Sequence, residues 1–115
     1  MVEDERAVRD LLVAVLTRHG FSTRACGTAE EALELERAQA VDLLVTDVML
    51  PGISGPELAR TIRATSPRTR VLFMSGYAGA LLQEEDMAGA EFLQKPFDAK
   101  TVAVKVRALL DPEHD

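Results

Sequence analysis

The amino-acid sequence predicts an α/β fold, a three-layer sandwich with a central five-stranded parallel sheet between two layers of helices. Short apolar runs alternate along the chain with amphipathic helical patterns, and short loops join them. The apolar run LLVTDV shows little polar alternation, which is typical of a strand buried on both faces. Because the chain has 115 residues and 47% of them are hydrophobic, residues 1–115 are predicted to form one domain with a packed core.

Composition and charge exclude several classes of partner. A net charge of −6 argues against direct nucleic-acid binding, which would need a basic stripe. No apolar run approaches the roughly 20 residues that cross a bilayer, and the acidic opening MVEDER does not resemble a signal peptide. The single cysteine, Cys26, cannot form an internal disulfide or a multi-cysteine metal site. We therefore predict a reduced, cytoplasmic setting with no direct membrane contact.

The first two helices are predicted by apolar spacing and by residues typical of helix ends. Apolar side chains recur at helical spacing over residues 8–16, and Gly20 is placed to end that helix. A second helix is predicted from Thr28, with Glu31 as its capping-box partner, to about Ala40.

The later helices are predicted in the same way. Pro56 suits the first residue of a third helix, which Ser66 and Pro67 end. A weak helix is predicted over about 80–87, and Asp98 is placed to cap a last helix with an apolar inner side.

Five strands are predicted, and the first is unusually short. Four are apolar or mixed segments with turn residues near them, at 21–26, 41–48, 70–76 and 90–94. The first strand has only Met1 and Val2 before Glu3, whereas a strand normally takes about 5–6 residues. We interpret it as truncated. Either residues that precede Met1 or a neighbouring chain would complete it, because a gap there leaves backbone groups unpaired.

Polar side chains stand at the carboxyl end of the predicted strands. Glu3 and Asp4 follow the first strand, Asp47 ends the third, Ser75 ends the fourth and Lys95 follows the fifth. Loops diverge at this edge of an open parallel sheet, so ligands bind there. Clustered carboxylates repel one another, so they either raise a pKa or hold a hard cation, and oxygen ligands of this kind suit Mg²⁺. A carboxylate beside Mg²⁺, with an ammonium and a hydroxyl within reach, is equipped to attack phosphorus.

Four motifs carry a family resemblance: VEDERAVRDLL, LLVTDVMLPGISG, VLFMSGYA and FLQKPF. In this order and spacing they resemble the receiver domain of two-component response regulators, most of all the receivers of hybrid sensor histidine kinases. The resemblance spans essentially the whole chain and implies the flavodoxin-like strand order 2-1-3-4-5. It also implies Mg²⁺-dependent transfer of a phosphoryl group from a phosphohistidine of a sensor histidine kinase or a histidine phosphotransfer protein.

The resemblance implies a role for each residue at this edge. Asp47 would be the phosphoacceptor. Asp4, with Glu3 behind it, would bind Mg²⁺ together with Asp47 and the backbone carbonyl of Met49, and the long side chain of Glu3 would act through a water. Lys95 would pair with a phosphoryl oxygen.

Two further roles concern the response to phosphorylation. Ser75 would hydrogen-bond another phosphoryl oxygen and draw its strand inward. Phe92, which lacks the hydroxyl of the tyrosine often found there, would follow as a switch that works by burial alone. The peptide bond between Lys95 and Pro96 is expected to be cis, as it typically is in receivers.

Three other functions are weaker interpretations. A phosphatase of the haloacid dehalogenase type needs a second aspartate two residues after the nucleophile, where Met49 stands. A flavodoxin-like nucleotide binder needs a phosphate loop after the first strand, and the acids of EDERAV would repel phosphate. A pseudo-receiver with inactive chemistry is disfavoured by the complete set of polar residues.

We therefore expect a signalling domain that catalyses its own aspartyl phosphorylation and dephosphorylation, not an enzyme that acts on a separate substrate. Because the sequence stops at LLDPEHD, no effector domain is expected to follow. The sequence leaves open whether the domain is stand-alone or part of a hybrid kinase, and whether it forms a homodimer.

Overall fold

The computed structural model describes residues 1–76, 84–87 and 89–110, and the structural statements below concern those residues. The predicted weak helix over about 80–87 lies mostly outside them, and its described part, Glu84–Met87, is a 3-10 turn. The regular elements are α1 (Arg6–Arg18), α2 (Ala29–Ala38), β1 (Leu43–Asp47), α3 (Gly55–Thr65), β2 (Arg70–Ser75), β3 (Ala90–Gln94) and α4 (Ala99–Leu110).

The strands form a parallel sheet in the predicted order. β1 pairs with β2 and β2 pairs with β3, so that Asp47 lies beside Met74 and Ser75 beside Gln94. On the free side of β1, Val2 pairs in parallel both with Thr46 and with Cys26. The sheet order is therefore the segment at Cys26, the segment at Val2, β1, β2 and β3. This is the predicted order 2-1-3-4-5, with the first two strands reduced to bridges.

The predicted strand over 21–26 is wrong as a regular strand, because only Cys26 pairs in the sheet. Its neighbour is the short segment at Met1 and Val2, which offers too few backbone groups to extend the pairing. A cavity of about 280 Å³ lies next to Met1, with residues 21–24 and 39–43 in its lining. That a neighbouring chain or preceding residues complete the first strand, at Met1 and Val2, stays a prediction.

Helices cover both faces of the sheet, so the molecule has the predicted three layers. On one face, Leu58 and Ile62 of α3 and small residues of α2 pack against Val71 and Phe73 of β2. On the other face, α1 and α4 pack against Leu72 and Met74 of the same strand. Alternate residues of β2 thus enter opposite cores, which explains why the whole run is apolar.

The helix ends follow the predicted signals within a residue or two. The Thr28 side chain accepts a hydrogen bond from the Glu31 backbone N–H over 3.2 Å at the start of α2. Asp98 accepts one from the Thr101 N–H over 2.7 Å at the start of α4. Gly20, with φ of 88°, follows the end of α1.

Two helix boundaries differ from the prediction. α2 stops at Ala38, two residues before the predicted end. There the guanidinium of Arg24 donates to the carbonyl oxygens of Leu35 and Gln39 and satisfies the helix end. α3 begins at Gly55, one residue before Pro56. None of the described helices is long and apolar enough to span a membrane.

Candidate functional site

The polar residues predicted to meet at one edge of the sheet do lie at that edge. Asp47 is the last residue of β1 and Ser75 the last of β2, while Lys95 follows β3 directly. Glu3 and Asp4 follow Val2, the residue that pairs with β1. The parallel direction of the strands brings these five positions to the same end. The predicted cis bond between Lys95 and Pro96 is confirmed.

Lys95 joins the two buried acids of the site. Its Nζ lies 2.7 Å from Oδ1 of Asp47 and donates to Oε1 of Glu3 over 2.8 Å. Glu3 is fully buried, and its second carboxylate oxygen accepts a hydrogen bond from the Glu5 backbone N–H over 2.9 Å. The prediction that Glu3 acts through a water did not include this direct contact with Lys95.

Burial and mutual repulsion perturb the titration of these groups. Desolvation, together with the neighbouring Glu3, raises the pKa of Asp47 to about 8, although Lys95 opposes the shift. Burial alone would raise the pKa of Glu3 as well, but hydrogen bonds with Asp47 and Lys95 outweigh it and lower that pKa. Burial opposes the charge of Lys95, yet its contacts with Asp47 and Glu3 raise its pKa. Of the two buried acids, the site therefore favours the proton on Asp47 over Glu3, and it favours the charged form of Lys95.

The three acids are arranged as a candidate cation site. Glu3, Asp4 and Asp47 each offer a carboxylate oxygen, and these oxygens lie within 4.8 Å of one another. Asp4 is exposed, so one side of the group is open to solvent. When both buried acids are ionised, Oδ2 of Asp47 is buried without a hydrogen-bond donor among the described residues. A bound proton or a cation would satisfy that oxygen, and an all-oxygen donor set fits Mg²⁺.

The remaining predicted residues surround this group. Ser75 is buried at the end of β2, and its carbonyl oxygen accepts a hydrogen bond from the Lys95 backbone N–H over 2.8 Å. Phe92 is half-buried and pairs with Phe73 in the sheet register. The side chain of Met49 is 60% exposed, two residues beyond Asp47. The roles expected of these three residues remain predictions.

Two residues near the site were not singled out from the sequence. Gly55 lies so close to the backbone of Asp47 that a Cβ added there would overlap the Asp47 carbonyl oxygen. Arg9 donates from Nη1 to the carbonyl oxygen of Glu3 over 3.1 Å. The two glycines of PGISG predicted a loop at Gly55, but they did not predict its close approach to Asp47. No sequence pattern indicated the contact of Arg9, because the fold decides which backbone carbonyl a helix side chain can reach.

Comparisons with known proteins agree with this geometry. The response regulator receiver domain family matches residues 1–107. The chain is 38% identical over 117 residues to the sensor kinase CckA of Brucella abortus, covering 98% of this chain and 12% of that protein. The receiver domain of the hybrid histidine kinase CckA, as a solved structure, superposes with a TM-score of 0.80 at 38% identity, covering 96% of this chain and 95% of that one. The receiver domain of NtrX from Brucella abortus superposes with a TM-score of 0.87 at 29% identity, covering 96% of each chain.

The chain therefore belongs to the response regulator receiver domain family, and its function is to accept a phosphoryl group in two-component signalling. It spans about half the length, or less, of the first curated relatives it matches, which include both a sensor kinase and transcriptional regulators. The predicted fold class is confirmed by these structural neighbours.

Proposed function

We propose that Asp47 is the phosphoacceptor of this receiver and that it takes its phosphoryl group from a phosphohistidine. The observation that carries the proposal is the position of Asp47, buried at the end of β1 with Lys95 at 2.7 Å and two further acids beside it. In the transfer, a carboxylate oxygen of Asp47 forms a bond to phosphorus as the bond from phosphorus to the histidine nitrogen breaks. The histidine nitrogen keeps the electron pair and takes up a proton.

The acids would hold Mg²⁺ during this step. Asp4, Asp47 and the backbone carbonyl of Met49 are the proposed ligands, with Glu3 acting behind them. The buried Oδ2 of Asp47 and the oxygen-only donor set support this assignment. The chemistry that a bound Mg²⁺ supplies is neutralisation of charge on the phosphoryl oxygens. Because Asp47 must be ionised to attack, the proton that its raised pKa retains must leave before the transfer.

The other side chains of the edge stabilise the phosphoryl group. Lys95 already contacts Asp47, on which the phosphoryl group would be carried, so its ammonium can pair with a phosphoryl oxygen. Ser75, at the end of the neighbouring strand, would hydrogen-bond a second oxygen and pull β2 toward Asp47. Phe92, half-buried on the next strand, would then move further into the core and change the outer surface.

The proposal also covers the phosphoryl donor, the extent of the domain and its location. The phosphohistidine donor would be a sensor histidine kinase or a histidine phosphotransfer protein, and one relative of this chain is itself named a sensor kinase. We propose that residues 1–115 form the receiver domain, that it lies in the cytoplasm, and that it catalyses its own aspartyl phosphorylation and dephosphorylation. It would contact neither nucleic acid nor membrane directly, while a homodimer is left open.

Incubation with Mg²⁺ and acetyl phosphate, followed by intact mass measurement, tests the proposal. We expect one added phosphoryl group in the wild type, none in Asp47→Asn and none when Mg²⁺ is chelated. Asp42→Asn is the matched control, because Asp42 is exposed and lies just before β1, at the opposite end of the same strand. This variant should be phosphorylated like the wild type. Phosphorylation that persists in Asp47→Asn would refute the assignment, and a wild type that binds Mg²⁺ without being phosphorylated would favour a pseudo-receiver.

A further inference from the structure

Arg9 holds the backbone of one of the buried acids. It lies in the first turns of α1 and is half-buried, and its Nη1 donates to the carbonyl oxygen of Glu3 over 3.1 Å. The backbone N–H of Glu3 donates in turn to the carbonyl oxygen of Cys26 over 3.1 Å. Both backbone groups of Glu3 are thus fixed, one by the neighbouring segment and the other by a side chain of α1.

The Glu3 carbonyl accepts a hydrogen bond from a side chain because the pairing between the Val2 and Cys26 segments ends at this point. Val2 pairs with Cys26, but two residues later Thr28 is already the N-cap of α2, so the backbone turns out of the sheet. In a longer ladder, the Glu3 carbonyl would accept its hydrogen bond from the adjacent strand. Here the donor comes from Arg9. The direction in which the chain leaves the sheet toward Asp4 is therefore set by a contact between a helix side chain and the strand end.

Gly27 leaves the space that the guanidinium occupies. A Cβ added at Gly27 would lie 2.7 Å from Nη1 of Arg9 and 3.9 Å from the carbonyl oxygen of Glu3. The first distance is too short for any real side chain, so Arg9 would have to move. The absence of a side chain at Gly27 thus leaves room for the guanidinium of Arg9 beside the Glu3 carbonyl.

We propose that Arg9 is a positioning residue for the acidic site: by holding the Glu3 carbonyl, it places the carboxylates of Glu3 and Asp4 against Asp47. This inference rests on the proposed Mg²⁺ site and adds a residue that acts on it through the backbone. Two effects of removing Arg9 have opposite signs. Loss of the positive charge beside Glu3 strengthens cation binding, whereas loss of the hydrogen bond to the Glu3 carbonyl weakens it. The measured sign therefore distinguishes positioning from simple charge.

Titration with Mg²⁺ followed by amide chemical shifts in NMR spectra tests the inference. We expect Arg9→Gln to raise the Mg²⁺ dissociation constant by roughly tenfold, the lower end of the loss seen when supporting partners of metal ligands are removed. Arg9→Lys, which keeps a donor and the charge, should recover part of this loss. Arg6→Gln is the matched control, since Arg6 is exposed on the same helix and forms a surface pair of 3.9 Å with Asp10. This control should bind Mg²⁺ as well as the wild type or more tightly.

The dissociation constant separates positioning from a general loss of stability. A variant that is merely less stable has fewer folded molecules, but its folded fraction binds Mg²⁺ as the wild type does. If Arg9→Gln binds Mg²⁺ as tightly as Arg6→Gln, the positioning role is refuted. If the wild type itself does not bind Mg²⁺, the proposed function fails and the role of Arg9 fails with it.

A double-mutant cycle measured in chelator gives a readout without metal. Gly27→Ala should slightly destabilise the wild type in urea unfolding, because the added methyl group pushes the flexible end of Arg9 off the Glu3 carbonyl and breaks that hydrogen bond. In the Arg9→Gln background the same change should have a clearly smaller effect, because the crowded guanidinium is gone. Equal effects of Gly27→Ala in the two backgrounds would show that Arg9 does not hold the strand end, and would refute the inference.

Discussion

Lys95 and Glu3 are 92 residues apart in the chain, yet Nζ of Lys95 donates to Oε1 of Glu3 over 2.8 Å. The same ammonium lies 2.7 Å from Oδ1 of Asp47. The Lys95 ammonium thus contacts two acids that are both buried. Both the stability of the fold and the chemistry of the site therefore depend on Lys95.

Lys95→Gln should destabilise the metal-free protein and slow its phosphorylation by acetyl phosphate. Breaking a buried ion pair costs about 3–5 kcal/mol, and because 23% of the Lys95 side chain is exposed we expect about 2 kcal/mol in urea unfolding. The matched control is Lys105→Gln, whose pair with Glu91 spans 3.6 Å on the surface. It should cost less than about 1 kcal/mol. Equal losses in both variants would show that the Lys95 contacts add no more than a surface pair.

The stability of the metal-free protein should fall as the pH rises toward 8. The folded pKa of Asp47 is raised from the ordinary 3.8 to about 8, so between these values the folded state keeps a proton that the unfolded state has lost. Stability falls with pH wherever the folded state binds more protons. The stability that proton binding at Asp47 contributes is therefore complete below the unfolded pKa of 3.8 and is lost as the pH rises to about 8. Urea unfolding in chelator at a series of pH values measures it.

Asp47→Asn is the control for this pH dependence. The amide does not titrate, so the decline between the two pKa values should be absent or much smaller. A decline of the same size in Asp47→Asn would assign it to other groups and contradict the raised pKa.

Gly55→Ala should damage both the fold and the site. An added Cβ would overlap the Asp47 carbonyl oxygen and press on the backbone of Val48, and neither group can rotate away. Overpacking of this kind costs about 1–3 kcal/mol, and the shift of Asp47 should lower the phosphorylation rate. Gly76→Ala is the control for stability, since a Cβ at Gly76 meets nothing within 4 Å. If Gly55→Ala is as stable as Gly76→Ala and is phosphorylated at the wild-type rate, the close approach does not constrain Asp47.

The elements that were predicted correctly depend on local patterns. The caps at Thr28 and Asp98 lie within a few residues of the groups they bond, so the sequence indicates them directly. The apolar run of β2 is read correctly because alternate residues enter two different cores. The order of the polar strand ends also indicated the edge at which the acids lie.

The features that were missed depend on distant partners. The segment over 21–26 has the composition of a strand, but it pairs only at Cys26 because its neighbour is short. The clustered acids predict a raised pKa as one alternative, but its assignment to Asp47 depends on burial and on the distance to Glu3, neither of which can be read from spacing. The contacts of Gly55 and Arg9 likewise join groups whose approach is fixed only by packing.

The short pairing at Val2 also affects how the molecule opens. Residues 1–3 carry one of the three acids and direct a second, yet only a few backbone hydrogen bonds, to Arg24, Cys26, Val45 and Asp47, attach them to the rest of the sheet. Val2 and Glu3 are nevertheless fully buried, and Val2 belongs to the core that also contains residues of α2 and α3. A local opening of this segment would therefore expose part of that core and carry Glu3 away from Lys95, so that cation binding and the packing of one core are coupled through three residues.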